Sequence, residues 1–237
     1  MPYRSMSLEE FARFVGMDPR QVQREANHGN LPGRRVGGQW RFNMIQVHDW
    51  LQSRMLTLPD DRLATLDRSI GSATQAGASR VTDLIGAEGI ELQMAASTKT
   101  SVLRELVNLA DRTQLLYDGK ELFEALRTRE AAGSTALPGG LAIPHPAQPL
   151  PYATAEPLVC IGRVVHPVGF GAPDGAMTQL FFLICSHESQ AHLHVLARLM
   201  RMLQDDDTVE SLRTLDDAAE VLQLLIERER AVADSLK

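Results

Sequence analysis

A single histidine, His145, stands between two prolines in "GGLAIPHPAQP", residues 139–149. Pro144 and Pro146 fix their own φ and drive the residue before each of them out of the helical region. His145 is therefore expected in an extended or tight-turn backbone with few alternatives. An imidazole held this firmly is either a group prepared for chemistry or the incidental side chain of a turn at the end of a strand. These eleven residues leave both readings open. The remaining candidates narrow the chemistry. His28, His48 and His166 have no partner at metal-ligand spacing and read as ordinary. Cys160 and Cys185 lie in the apolar runs "PLVCIG" and "FFLICS" and read as small buried hydrophobes of a reducing compartment. No metal and no cofactor is expected.

Something must hold that imidazole. The chain has 237 residues, long enough for one large domain or two small ones, and its 44% of hydrophobic residues is enough for a proper core. No apolar run reaches the length of a membrane span. The opening "MPYRSMSLEEF" has no apolar signal-peptide core, and a cytoplasmic location is expected. The net charge of -6 is unevenly spread. Residues 1–58 carry eight arginines against five acids, so +3, and the remainder carries -9. A mildly basic head on an acidic body suggests two domains with different partners.

Within the head, Ser7 and Glu10 form a capping box before the stripe Phe11, Phe14, Val15, and Gly16 stops that helix. Asp18 and Pro19 open a second helix that Gly29 ends. "LPGRRVGGQWRF" reads as a hairpin around Gly37 and Gly38. "NMIQVHDWLQSRM" is a third helix, with Ile45, Val47 and Trp50 expected to face inward. Residues 57–79 read as a linker or a short helix: "PDDRLATLDRSI" sets Leu63, Leu66 and Ile70 on one stripe, able to pair with a second chain or to pack on its own domain. The Gly-, Ala- and Ser-rich end of that stretch has a linker composition. From residue 80 on, strands ("GIELQMA", "GGLAIPHP", "PLVCIGRVV", "MTQLFFLICS") alternate with helices ("STKTSVLRELVNLADRT", "DGKELFEALRTREAAG", "SQAHLHVLARLMRML", "TLDDAAEVLQLLIERER"), the pattern of an α/β domain over residues 80–237.

"SLEEFARFVGMDPRQVQREANHGNLPGRRVGGQWRF" followed by "IQVHDWL" resembles the excisionase-type helix-turn-helix domains, relatives of the MerR group. The Gly-Asn-Leu-Pro turn and the "RVGGQWRF" wing carry the likeness. It implies a small, mainly helical winged DNA-binding domain over residues 1–56. Arg20, Gln21, Gln23 and Arg24 on the second helix are able to meet base edges or phosphates, and Arg34, Arg35 and Arg41 flank the hairpin. A single head has a small footprint, so a homodimer is expected.

"REAAGSTALPGGLAIPH", "FGAPDGAMTQLFFLICS" and "HLHVLARL" resemble, in order, the IIA phosphocarrier domain of the bacterial phosphotransferase system, in its fructose, mannitol and nitrogen-regulatory class. The likeness implies a mixed sheet flanked by helices and a phosphocarrier with a phosphohistidine intermediate rather than a classical enzyme. It implies that His145 accepts phosphate from a histidine phosphocarrier protein, that Arg129, Ser134 and Thr135 surround the phosphoryl group, and that His192 supports His145. His187 and His194 lie close to His192, which leaves open whether His192 or His194 faces His145. Pro146 departs from the small residue usual after the motif and removes a backbone N–H donor. The expected function is a regulator that couples phosphorylation to DNA binding and transcription. The alternatives are a IIA component feeding a sugar permease, with the head as a docking module, and a scaffold that has lost phosphotransfer.

Overall fold

The computed structural model describes residues 5–56, 58–73 and 80–235. Local chemistry sets the head. Strand β1 (Ser5–Met6) leads into α1 (Leu8–Val15), capped by the reciprocal Ser7 and Glu10 bonds and closed by Gly16 in the left-handed region at φ 63°. Asp18 caps α2 (Pro19–Asn27), with Pro19 in the first turn, where it sacrifices no hydrogen bond. Strands β2 (Gly33–Val36) and β3 (Gln39–Asn43) make the expected antiparallel hairpin, and β1 adds to the far side of β3. Phe11 stacks on Phe42 at 4.2 Å between ring centroids and fills the small core.

Helix α3 (Met44–Met55), capped by Asn43, departs from the expected orientation. Val47 is buried as expected, but Ile45 is 42% exposed and Trp50 only half-buried. The covered stripe is Val47, His48, Leu51, Gln52 and Met55. This helix serves two surfaces. Its apolar positions complete the head, and its polar positions His48 and Gln52 lie against the second domain.

Helix α4 (Asp60–Ala73) follows. Leu63, Leu66 and Ile70 are buried within this chain, against α1 and against α7 (Ser189–Met202), so the stripe is not free to pair two copies. A Cβ at Gly16 would stand 2.5 Å from Thr65 Cγ2, which shows how closely the end of α1 abuts α4. Most of the linker-like stretch, residues 74–79, lies outside the described residues.

The second domain is built on a mixed five-stranded sheet in the order β4-β7-β8-β6-β5. The strands are β4 (Ile90–Met94), β5 (Ala136–Leu137), β6 (Leu141–Ala142), β7 (Leu158–Val168) and β8 (Thr178–Cys185). β7 and β8 are antiparallel, while β4 joins β7 and β6 joins β8 in parallel. Their near-continuous apolar sequences fit a sheet covered on both faces. Helices α5 (Lys99–Arg112) and α6 (Gly119–Ala132) pack with Phe181, Leu183 and Cys185 on one side. Helices α7, α8 (Asp206–Thr214) and α9 (Ala218–Asp234) pack with Phe182 and Ile184 on the other, in a core continuous with that of the head. Helix α8, nine residues capped by Asp205, has no counterpart among the expected elements. "GGLAIPHP" contributes only Leu141 and Ala142 to the sheet before the chain leaves it at Ile143.

Candidate functional site

The short strand β6 delivers His145. Ile143 N–H donates to the Thr135 carbonyl and Ile184 N–H to the Pro144 carbonyl, so the segment on both sides of the histidine is tied to its neighbours. The His145 side chain is fully buried, and its Nδ1 stands 2.7 Å from the Ile143 carbonyl oxygen. A carbonyl only accepts, so the neutral ring carries its proton on Nδ1 and keeps its lone pair on Nε2. Nε2 is buried with no hydrogen-bond partner among the described residues. Burial first, and then the nearby Arg129 charge, push the His145 pKa down to about 3, so this imidazole is neutral across the physiological range.

Three rings stand in a row. His192 on α7 lies 5.0 Å from His145, centroid to centroid, and His48 on α3 of the head lies 5.4 Å from His192. His192 and His48 are 3% and 1% exposed. Burial lowers the pKa of both, that of His48 to about 4. The geometry puts His192, not His194, against His145. His194 turns to the other side of α7, with Nδ1 3.1 Å from Asp67 Oδ1, and His187 is held by Thr154. His48 is not the ordinary histidine expected. The available signal was its position in the 3.6-residue stripe of α3 with Gln52, a polar pair where an apolar pair would be expected.

Arg129, near the end of α6, donates to the Gly133 carbonyl at 2.8 Å, and its charge acts on His145, His192 and Asp49. It lines a cleft of about 540 Å³ with Asp49, Gln52, Ser134 and Gln148, between the head and the second domain. Ser134 donates to the Phe170 carbonyl at 2.7 Å. Thr135 is fully buried and gives its hydroxyl to Glu130 at 2.6 Å, so its described bond holds the loop. Glu130, which is not among the expected site residues, also accepts from Thr135 N and from Lys99 Nζ at 2.9 Å.

In the head, Arg20, Gln23 and Arg24 are exposed on one face of α2, while Gln21 is half-buried in a second cleft beside Val15 and Trp50. Arg34 and Arg41 stand opposite each other on the hairpin. Arg35, on its other face, lies over the Trp40 ring at 5.3 Å and donates to Asn27. Among the described residues no cluster of His, Cys, Asp and Glu is placed to hold a metal, and no helix is long and apolar enough to cross a membrane.

The buried histidines set an acid limit. The native state keeps His145 and His48 neutral down to about pH 3 and 4, whereas the unfolded chain protonates them near 6.5. Between those values the unfolded state binds more protons, so stability is complete above about 6.5 and falls as pH drops. The slope approaches about 1.4 kcal/mol per pH unit for each histidine. Thermal melts from pH 7 to 5 should show a falling midpoint, with a shallower fall in His48→Gln. Parallel curves would contradict the burial of His48.

The sequence pattern of the phosphoenolpyruvate-dependent sugar phosphotransferase system, EIIA 2, matches residues 83–228. The chain belongs to this family. A helix-turn-helix domain pattern matches residues 5–55, ahead of the IIA domain. The nitrogen regulatory protein of Bradyrhizobium diazoefficiens is 32% identical over 148 residues, which is 61% of this chain and 94% of that one. The crystal structure of nitrogen regulatory protein IIA-Ntr from Neisseria meningitidis superposes with a TM-score of 0.57 at 31% identity, covering 62% of this chain and 99% of that one. The IIA domain is also similar to the mannitol IIA enzyme of Escherichia coli, solved in complex with phosphorylated IIB. There the TM-score is 0.52 at 26% identity, over 61% of this chain and 99% of that one. The IIA domain is thus a phosphocarrier domain of the fructose, mannitol and nitrogen-regulatory type, carried here behind a helix-turn-helix.

Proposed function

We propose that His145 accepts a phosphoryl group on Nε2 from a histidine phosphocarrier protein, and that the helix-turn-helix head binds DNA, so that the chain is a cytoplasmic transcriptional regulator. The observation that carries the first part is the pinned ring: Nδ1–H is engaged by the Ile143 carbonyl, and Nε2 keeps a free lone pair. In the transfer, that lone pair forms the new N–P bond while the donor's N–P bond breaks and its electron pair returns to the donor imidazole. His145 keeps its Nδ1 proton throughout. A ring that is already oriented loses little entropy in reaching an in-line geometry. Arg129 is the cation that meets the phosphoryl oxygens and Ser134 a hydroxyl at the edge of the same cleft. Thr135 acts at one remove, through Glu130. Pro146 offers no N–H, which leaves Arg129 a larger share of the charge. The test is incubation of the full chain with phosphoenolpyruvate, the general phosphotransfer enzyme and the histidine phosphocarrier, followed by detection of acid-labile phosphate. Absence of label leaves the scaffold reading.

Two features support DNA binding. Arg20, Gln23 and Arg24 present one exposed face of α2. Arg34 and Arg41 are directly opposed across the hairpin, an arrangement that costs free energy unless an anion lies near. The hairpin is then the wing and this pair its phosphate grip. Binding should weaken steeply with salt, and Arg20→Ala with Arg24→Ala should lower the salt slope by about 0.9 for each DNA phosphate that is no longer neutralised. Arg34→Ala or Arg41→Ala should weaken all sequences alike. If salt titrations of these variants match the wild type, the head is a protein-docking module.

A further inference from the structure

We infer that helix α3 of the head is a lid over the phosphoacceptor, seated through His48, Asp49 and Gln52, and that the lid and a phosphoryl group on His145 exclude each other. The inference rests on the phosphocarrier reading and adds its regulation. It follows first from access. The His145 side chain is fully buried and Nε2 is among its sealed atoms. No donor protein can bring phosphorus within about 3 Å of that nitrogen, as attack requires, until something covering the site moves. Two helices carry the adjacent rings. Helix α7 supplies His192, but Leu193, Leu196 and Leu199 fix it in the core. Helix α3 supplies His48, and its Asp49 accepts a 2.8 Å bond from Gln148, three residues beyond the acceptor.

The α3 contact is also the one built to yield. Both ring nitrogens of His48, Gln52 Nε2 and His192 Nε2 are buried without hydrogen-bond partners among the described residues. Such groups are costly where they lie, and water would satisfy them on opening. Once a phosphoryl group is present it brings about two negative charges, which cannot remain sealed beside two neutral imidazoles with Arg129 as the adjacent cation. The closed lid therefore blocks the donor, and the phosphorylated domain rejects the lid. Because Val47, Leu51 and Met55 of the same helix belong to the head core, displacement of α3 carries the DNA-reading face with it.

The full chain carrying Gln52→Cys reads the lid directly. Cys160 and Cys185 are buried, with thiols pushed up in pKa, so a maleimide reports on position 52 alone. Phosphorylation by the phosphoenolpyruvate chain should raise the maleimide rate by at least about tenfold, a shift of one decade in the open population. Adding His145→Glu, which puts a charge in the slot without any donor, should do the same. Phosphate uptake should be slow and insensitive to donor concentration in the wild type. It should become faster and donor-dependent in His48→Glu, or in Asp49→Ala with Gln148→Ala should the first variant fail to fold. Label on His145 with no change in thiol reactivity would overturn the lid and leave the phosphocarrier reading standing. Failure of both the wild type and the opened variants to take up phosphate would remove that reading and the linkage with it.

Discussion

His145→Ala should take up no acid-labile phosphate, a fall of at least about a thousandfold, while keeping the fold. The loss is complete because the attacking lone pair is on the deleted ring and no other imidazole occupies its place. His192 is adjacent, but its partner would be the emptied position, and its own ring is not pinned to a carbonyl in the described contacts. The fold should survive because the backbone around residue 145 is held by main-chain bonds, Ile143 to Thr135 and Ile184 to Pro144, that need no imidazole. Removing the ring leaves a cavity and an unpaired Ile143 carbonyl, together about 1–3 kcal/mol. Arg129→Ala should retain slow labelling, down by about a hundredfold to a thousandfold, the usual cost of one electrostatic partner of the transition state. Mass spectrometry and acid-lability assays check both. Full labelling of His145→Ala would sink the assignment.

Asp67→Ala should lower the stability of the whole chain by about 3–5 kcal/mol, because it strands buried cations. Asp67, on α4, is wholly buried and faces three positions on one side of α7: His194 Nδ1 at 3.1 Å, Arg198 Nε at 2.6 Å and Arg201 Nη1 at 3.1 Å. Burial pushes the Asp67 carboxyl up, but bonds from His194 and Arg198 overcome this and hold it below its ordinary value. Arg201 reaches on to Asp60 and Ser235, and Arg198 lies 3.8 Å from Glu229, which accepts from Val81 N and Thr82 N. One carboxylate thus joins the helix after the head to the body of the IIA domain. For a chain of this size the loss corresponds to a fall in melting temperature of roughly 6–20 °C. Calorimetry of Asp67→Ala beside Asp67→Asn measures it, and a fall under about 2 °C would show that the ion cluster is not what seats α4.

Local chemistry was open to a reader of the chain. The Ser7–Glu10 box, Asp18 before Pro19 and the left-handed Gly16 act within a few residues, so the sequence by itself placed the first two helices of the head. The two prolines around His145 fixed a backbone, and the alternation of apolar strands and amphipathic helices fixed the class of the second domain. Features that depend on what an element packs against were beyond its reach. The stripe Leu63, Leu66, Ile70 says that some apolar surface must cover it, and the same pattern serves a second copy or α7 equally well. Its partner was decided by Asp67, whose side-chain partners lie 127 to 134 residues along the chain. His48 reads as ordinary, because its place with Gln52 in the α3 stripe says that the pair is covered but not that a second domain covers it. The same limit hid the state of His145. Its motif marks the residue as a candidate, but the free Nε2, the sealed slot and the depressed pKa come from the packed neighbours rather than from the residue.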